Sequence, residues 1–331
     1  MTFTGRGLYA SSSKVPRKRR SGWLFIGVAV AVAVLVIGAV RALGEVPTGK
    51  ESRSDTFGGA ARVVVDNDTG GDVEVRSSGG DEVTVARTLR GSPLGEPGDE
   101  VELDGETVRA DADCNGLLPA VGGCAVDYEI SVPAGTELTI ETTSGEVELT
   151  SIEGDVQVDT DSGQVTADEL KGNAAVSTSS GGIELSDVAG DMELKTTSGG
   201  ITASGTAETV QAESTSGTVH LEEISAVRVE AGSVSGTVNI EGDFETADVE
   251  TVSGTVNVDA ESPFERVTAE STSGSVQMRV PRGDYRVTGE STSGERDIDV
   301  GRDSSASAEI EARTTSGSID IGYLDGTGKR G

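Results

Sequence analysis

T-T-S-G-E-V-E-L at 142–149, T-D-S-G-Q-V-T-A at 160–167, T-S-S-G-G-I-E-L at 178–185 and T-T-S-G-G-I-T-A at 196–203 are one phrase written four times. Six looser copies follow. The Ser-Gly pairs place glycine at Gly145, Gly163, Gly181, Gly199, Gly217, Gly236, Gly254, Gly274, Gly294 and Gly317, at spacings of 18, 18, 18, 18, 19, 18, 20, 20 and 23. A period of that length marks stacked structural units.

Each copy is aligned on its glycine. Three residues before it stands a hydroxyl in all ten copies, from Thr142 to Thr314. Two and four residues after it stand apolar side chains, such as Val219 and Leu221, Val238 and Ile240, or Val256 and Val258. Between them lies a polar residue, here His220, Asn239 and Asn257. Alternation of period two predicts a half-buried strand. A second strand precedes each Ser-Gly, as at Val156 with Val158 or Met192 with Leu194. Two short strands cannot bury their own apolar face, whereas stacked coils can. The expected fold is therefore all-β: a single-stack β-solenoid of about ten coils of 18–20 residues, a rod about 50 Å long at strand spacing. The ten glycines are expected to serve turns that need positive φ. The hydroxyl column is expected to satisfy turn backbone groups. A hydroxyl repeated in every coil is no unique nucleophile.

Working outward, charge divides the chain. Residues 1–22 hold six basic side chains and no acid, so the rest carries −37 of the total net −31. Such an acidic body does not seek nucleic acid or anionic lipid. Its simplest role is a solubilising coat that blunts sheet edges. Trp23–Val40 is an uncharged apolar run, long enough to span a bilayer. Residues 23–43 are read as one transmembrane helix, with 1–22 as a basic cytoplasmic tail and everything after outside. A cleaved signal with a cut after Ala42 is the competing reading, against which the apolar core is long. Residues 44–60 read as a linker.

From Arg62 the folded part opens with V-V-V-D-N-D-T-G-G-D-V-E-V, a degenerate form of the repeat suited to a first coil or cap. Residues 61–141 form this cap region, 142–325 the regular solenoid, and 326–331 a disordered tail. Residues 90–128 break the pattern and hold the chain's two cysteines, Cys114 and Cys124. Exported cysteines pair. The bridge closes a loop worth about 2–3 kcal/mol. A metal pair is the alternative, but it lacks companion ligands.

No catalytic, cofactor or metal constellation stands out. His220, the one histidine, falls in the outward polar column. Asp66-Asn-Asp68 with Asp72 hints at a calcium loop but lacks the acids at later positions. Arg282-Gly283-Asp284 is an integrin-type tripeptide in a repeat turn. Phe244, Phe264 and Tyr285 stand at equivalent places and predict a corner core, with a carbohydrate platform as the alternative. Arg296 occupies a position that holds Val or Ile elsewhere, so its coil must bulge, or its guanidinium must reach a carboxylate or the rod's end.

The strand-turn V-D-Y-E-I-S-V-P-A-G at 126–135, the opening stretch at 63–75 and the T-x-S-G-x-V-x-L repeats together resemble the bacterial adhesin-like β-strand-repeat family of unknown function. The resemblance spans Arg62 to Ile321 and implies a cell-surface solenoid, without implying any catalytic residue. The sequence thus predicts a single-pass membrane protein on the bacterial cell surface that acts without chemistry, as an adhesin-like or scaffold protein. Its ligand would be a cell-wall polymer, a glycan or a protein. Two other classes remain open. One is an envelope-stress sensor, whose 22-residue tail would need a cytoplasmic partner. The other is a polysaccharide-active enzyme, which would need paired carboxylates at one place on the rod.

Overall fold

The computed structural model describes residues 50–91, 95–115 and 123–324. The basic segment 1–22, the segment 23–43 read as a transmembrane helix and the tail 326–331 lie outside the described residues. Every described element is a β-strand. The chain begins with β1 (Lys50–Gly58), β2 (Arg62–Asn67), β3 (Val73–Ser77), β4 (Glu82–Arg90), β5 (Glu96–Asp104), β6 (Thr107–Asn115) and β7 (Ala125–Val132). Next come β8 (Glu137–Ser144), β9 (Val147–Thr150), β10 (Val156–Ser162), β11 (Val165–Lys171), β12 (Ala174–Thr178), β13 (Ile183–Ala189) and β14 (Met192–Ser198). Three long strands follow, β15 (Ile201–Ser216), β16 (Val219–Ser235) and β17 (Val238–Ser253). The last are β18 (Val256–Ala260), β19 (Arg266–Ser273), β20 (Val276–Val280), β21 (Asp284–Ser293), β22 (Arg296–Ile298), β23 (Gly301–Arg302), β24 (Glu309–Ser316) and β25 (Ile319–Tyr323).

The repeats stack in parallel and in register, as the alternation predicts. β10 lies between β8 and β12, and β11 between β9 and β13. Val219, Val238, Val256 and Val276 pair one above the next. All four are fully buried. His220, Asn239 and Asn257 form the neighbouring column on the outer face. There Asn257 Nδ2 donates to Asn239 Oδ1 at 2.6 Å. In β15 to β17 both strands of a coil run on as one, so the chain breaks only at Ser-Gly.

The Ser-Gly column has a different cause from the one expected. Gly145 alone of the ten has a left-handed φ, 122°. The column needs glycine because the coils approach too closely there for a side chain. A methyl group on Gly236 would meet the carbonyl oxygen of Gly217, and one on Gly254 that of Gly236. From Thr196 to Thr314 the hydroxyl column uses the same carbonyls. Ser233 Oγ donates to Gly217 O at 3.1 Å and Thr314 Oγ1 to Gly274 O at 2.9 Å.

Both ends of the stack depart from chain order. β2 lies between β6 and β8, and β3 between β7 and β9. The first coil in sequence is therefore internal, and β6–β7 is the end coil. Antiparallel strands close that end: β5 on β6, β4 on β7, and β1 on β4. Residues 50–58, read from sequence as linker, are thus an edge strand. Lys50, Glu51, Arg53 and Asp55 give β1 the charges that keep an edge from recruiting further strands. Phe57 packs on the core.

At the other end β24 lies between β19 and β21, and β25 between β20 and β22. The last coil in sequence slips beneath its predecessor. Charge favours this order. Glu309 of β24 sits in register with Arg266 on one side and Arg286 on the other, 3.1 Å from each. Arg313 likewise stands between Glu270, at 2.7 Å, and Glu290. Stacking β21 directly on β19 would face arginine with arginine and glutamate with glutamate. Arg296 is explained by the same swap. Its coil is the terminal one, its side chain is exposed, and its guanidinium donates to Gly289 O at 3.3 Å.

Candidate functional site

The hydroxyl strands β12, β14 to β17, β19, β24 and β21 lie side by side and form one long face. Along that face runs a groove of ≈ 1010 Å³ that crosses eight coils. At strand spacing it is about 34 Å long. In these eight coils the residue two before the glycine points into it. From coil to coil that column reads Ser179, Thr197, Thr215, Val234, Val252, Thr272, Thr315, Thr292. Val234 and Val252 are 47% and 49% exposed where their neighbours carry hydroxyls. Beside them Gly232 leaves a notch in the adjacent column, between Glu213 and Glu250. Asp248 and Glu230 pair in register behind the notch. Burial first, then Glu230 and Glu270, pushes the Asp248 carboxyl above the usual carboxylate range. Lys195 and Arg313 are the basic side chains in the lining. Both are drawn to acids: Lys195 lies 2.5 Å from Glu193, and Arg313 binds Glu270. The groove thus combines a hydroxyl row, an apolar centre and acidic walls. It offers hydrogen-bond and charge contacts repeated at coil spacing, rather than one reactive group.

A smaller groove crosses the earlier coils at Asp155, Asn173 and Asp191. These side chains are occupied by backbone. Asp155 Oδ1 accepts from Asn173 N at 2.8 Å, Asn173 Oδ1 from Asp191 N at 2.9 Å, and Asp191 Oδ1 from Thr209 N at 2.8 Å.

The residues singled out from sequence take these places. Cys114 and Cys124 form a disulfide, with Cα atoms 6.0 Å apart, that ties β6 to the approach to β7. The aspartate-rich turn at 66–72 is a structural knot. Asn67, fully buried, donates from Nδ2 to Gly71 O at 3.2 Å and Val126 O at 3.1 Å. Asp72 Oδ1 accepts from Glu146 N at 2.9 Å, and Asp68 Oδ1 from Thr143 Oγ1 at 3.1 Å. The Arg282-Gly283-Asp284 turn is held by Tyr323, whose ring lies 5.4 Å from the Arg282 guanidinium and whose hydroxyl donates to Gly283 O at 2.8 Å. Phe264 and Tyr285 stack with centroids 5.4 Å apart and are buried, as is Phe244. They are a corner core rather than an exposed platform. His220 sits 3.1 Å from Glu222 at the surface.

Sequence reasoning missed two features. One is the groove, because its columns bring together residues as far apart in the chain as Ser179 and Thr315. The other is a buried ion network in the cap. There Arg87 of β4 bonds Asp99 of β5 and lies 2.7 Å from Asp55 of β1. Arg53 also reaches Asp99, at 2.5 Å. Tyr128 lies nearby, with a buried hydroxyl that has no partner. Burial first, then Asp99, pushes its pKa upward. The Asp104-Gly105 pair, where Gly105 has φ 64°, marks the β5–β6 hairpin and could have revealed this cap.

Among curated proteins none matches the sequence. Similar folds occur in solved structures. A putative adhesin from Parabacteroides merdae is 11% identical, with 83% of this chain and 96% of that one covered and a TM-score of 0.44. A putative adhesin from Bacteroides fragilis is 14% identical, covering 83% and 97%, with a TM-score of 0.36. A putative lipid binding protein from Parabacteroides distasonis is 13% identical, covering 84% and 97%, with a TM-score of 0.40. The family model described as Toastrack DUF4097 matches residues 61–322, from the first internal coil to the swapped last one. With its strand repeats, its solenoid and that match over most of its length, the chain belongs to the Toastrack DUF4097 family.

Proposed function

We propose that the chain is a membrane-anchored solenoid that presents its grooved face outside a bacterial cell as a non-enzymatic interaction surface, adhesin-like or scaffolding. The observation that carries this reading is the groove itself. It is continuous over eight coils and lined by repeated hydroxyls and carboxylates. A catalytic site concentrates different groups at one spot, whereas this face repeats similar groups along a line. The uncharged apolar run Trp23–Val40 is the candidate anchor.

The test is a binding screen of the full chain against cell-wall polymers, neutral glycans and peptides, with Val252→Trp as a groove-blocking variant. Binding that is lost in this variant, without loss of thermal stability, supports the proposal. Ligands that bind both forms equally would place the interaction elsewhere. Protease added to intact cells should digest the region after residue 44. Its protection inside spheroplasts would overturn the topology.

A further inference from the structure

We propose that the groove takes an extended, lysine-rich polypeptide segment with an apolar side chain at its centre. This rests on the reading of the groove as the interaction surface and names its occupant. Three independent observations converge on that partner. The first is form: a straight channel of about 34 Å suits an extended chain lying along the rod. The second is the apolar centre. Val234 and Val252 are two of the four large exposed hydrophobics among the described residues, and they adjoin each other in the channel. The third is charge. Glu213, Asp248 and Glu250 flank that centre on one side. The Asp248 carboxyl is crowded by Glu230 and Glu270, a repulsion that an incoming ammonium group relieves.

A neutral glycan fits less well, because the groove lining holds no aromatic side chain to stack on a sugar ring.

The test is fluorescence anisotropy on the full chain in a neutral detergent. The probes are labelled decalysine, the same peptide with two central leucines, and a labelled cello-oligosaccharide. Decalysine should bind, and more weakly as salt rises. The leucine peptide should bind about tenfold tighter, and that advantage should vanish in Val234→Ser/Val252→Ser. Glu213→Gln/Asp248→Asn/Glu250→Gln should weaken both peptides about tenfold. Glu148→Gln/Glu208→Gln/Glu222→Gln removes equal charge outside the groove and should change binding less than twofold. Equal losses in the two triple variants would reduce the effect to general attraction by an acidic rod and overturn the proposal. So would a leucine advantage that survives the serine substitutions. Groove-dependent binding of the cello-oligosaccharide, without peptide binding, would overturn the peptide and leave the interaction surface standing. If no probe responds to any groove substitution, both proposals fail.

Discussion

At the scale of a residue, adjacent positions carry opposite burdens. Val238 is sealed between Val219 and Val256, while Asn239 faces outward one residue on. Val238→Asp would place an uncompensated carboxylate in a dry core and should cost more than about 3 kcal/mol in chemical denaturation. Asn239→Asp keeps the acceptor used by Asn257 and should cost under about 0.5 kcal/mol. Equal, mild effects would break the register. Gly254→Ala puts its methyl against the Gly236 carbonyl and should cost about 1–3 kcal/mol through forced separation of two coils. The valine column was legible in the sequence because period-two alternation reports directly on burial. The cause of the glycine column was not, because φ belongs to one residue whereas close approach belongs to two coils 18 or more residues apart.

At the scale of an element, the last coil shows what alignment alone hides. Repeats aligned on glycine imply that neighbours in sequence are neighbours in space. The charges say otherwise: Arg266 and Arg286 are equivalent and alike, as are Glu270 and Glu290, and only β24 offers Glu309 and Arg313 to separate them. That signal was present in the sequence but is read only when coils are compared two apart. Reversing both charges, Glu309→Arg/Arg313→Glu, should raise hydrogen exchange in β21 and β24 at least tenfold and leave β10 to β14 unchanged, since repeat stability is mostly nearest-neighbour. A chain cut after residue 303 should lose protection over β21 and β22 too, because Arg296 and Gly289 make poor cover for Val276 and Ala269. In the cap, Cys114→Ser/Cys124→Ser should cost about 2–3 kcal/mol locally, read as faster exchange in β6 and β7.

At the scale of the whole solenoid, acidity sets the pH response. Asp66, Asp248, Asp259 and Glu261 are all held above the usual carboxylate range, each mainly by burial and then by neighbouring carboxylates. Their folded pKa values exceed the unfolded ones, so the folded chain binds more protons in that interval. Stability should therefore rise as pH falls from neutral through the raised values, and stop rising below the ordinary carboxylate range. Asp303 and Glu309 are held low and oppose this, through Ser305 and Arg286 respectively. A melting temperature higher at pH 5 than at pH 7, with Asp259→Asn narrowing the gap, would confirm the balance. A monotonic fall on acidification would refute it.

The exchanged coils at both ends have a mechanical meaning. A stacked array ordinarily unravels from its chain termini, because a terminal coil is held on one face only. Here tension applied at residue 50 can unzip β1 from β4, but it then meets β2, gripped in parallel by β6 and β8. From the other terminus the chain meets β25 and β24, each clasped between two strands. Further extraction must shear two ladders at once instead of peeling one. The rod is therefore finished like a cloth with its loose threads woven back in.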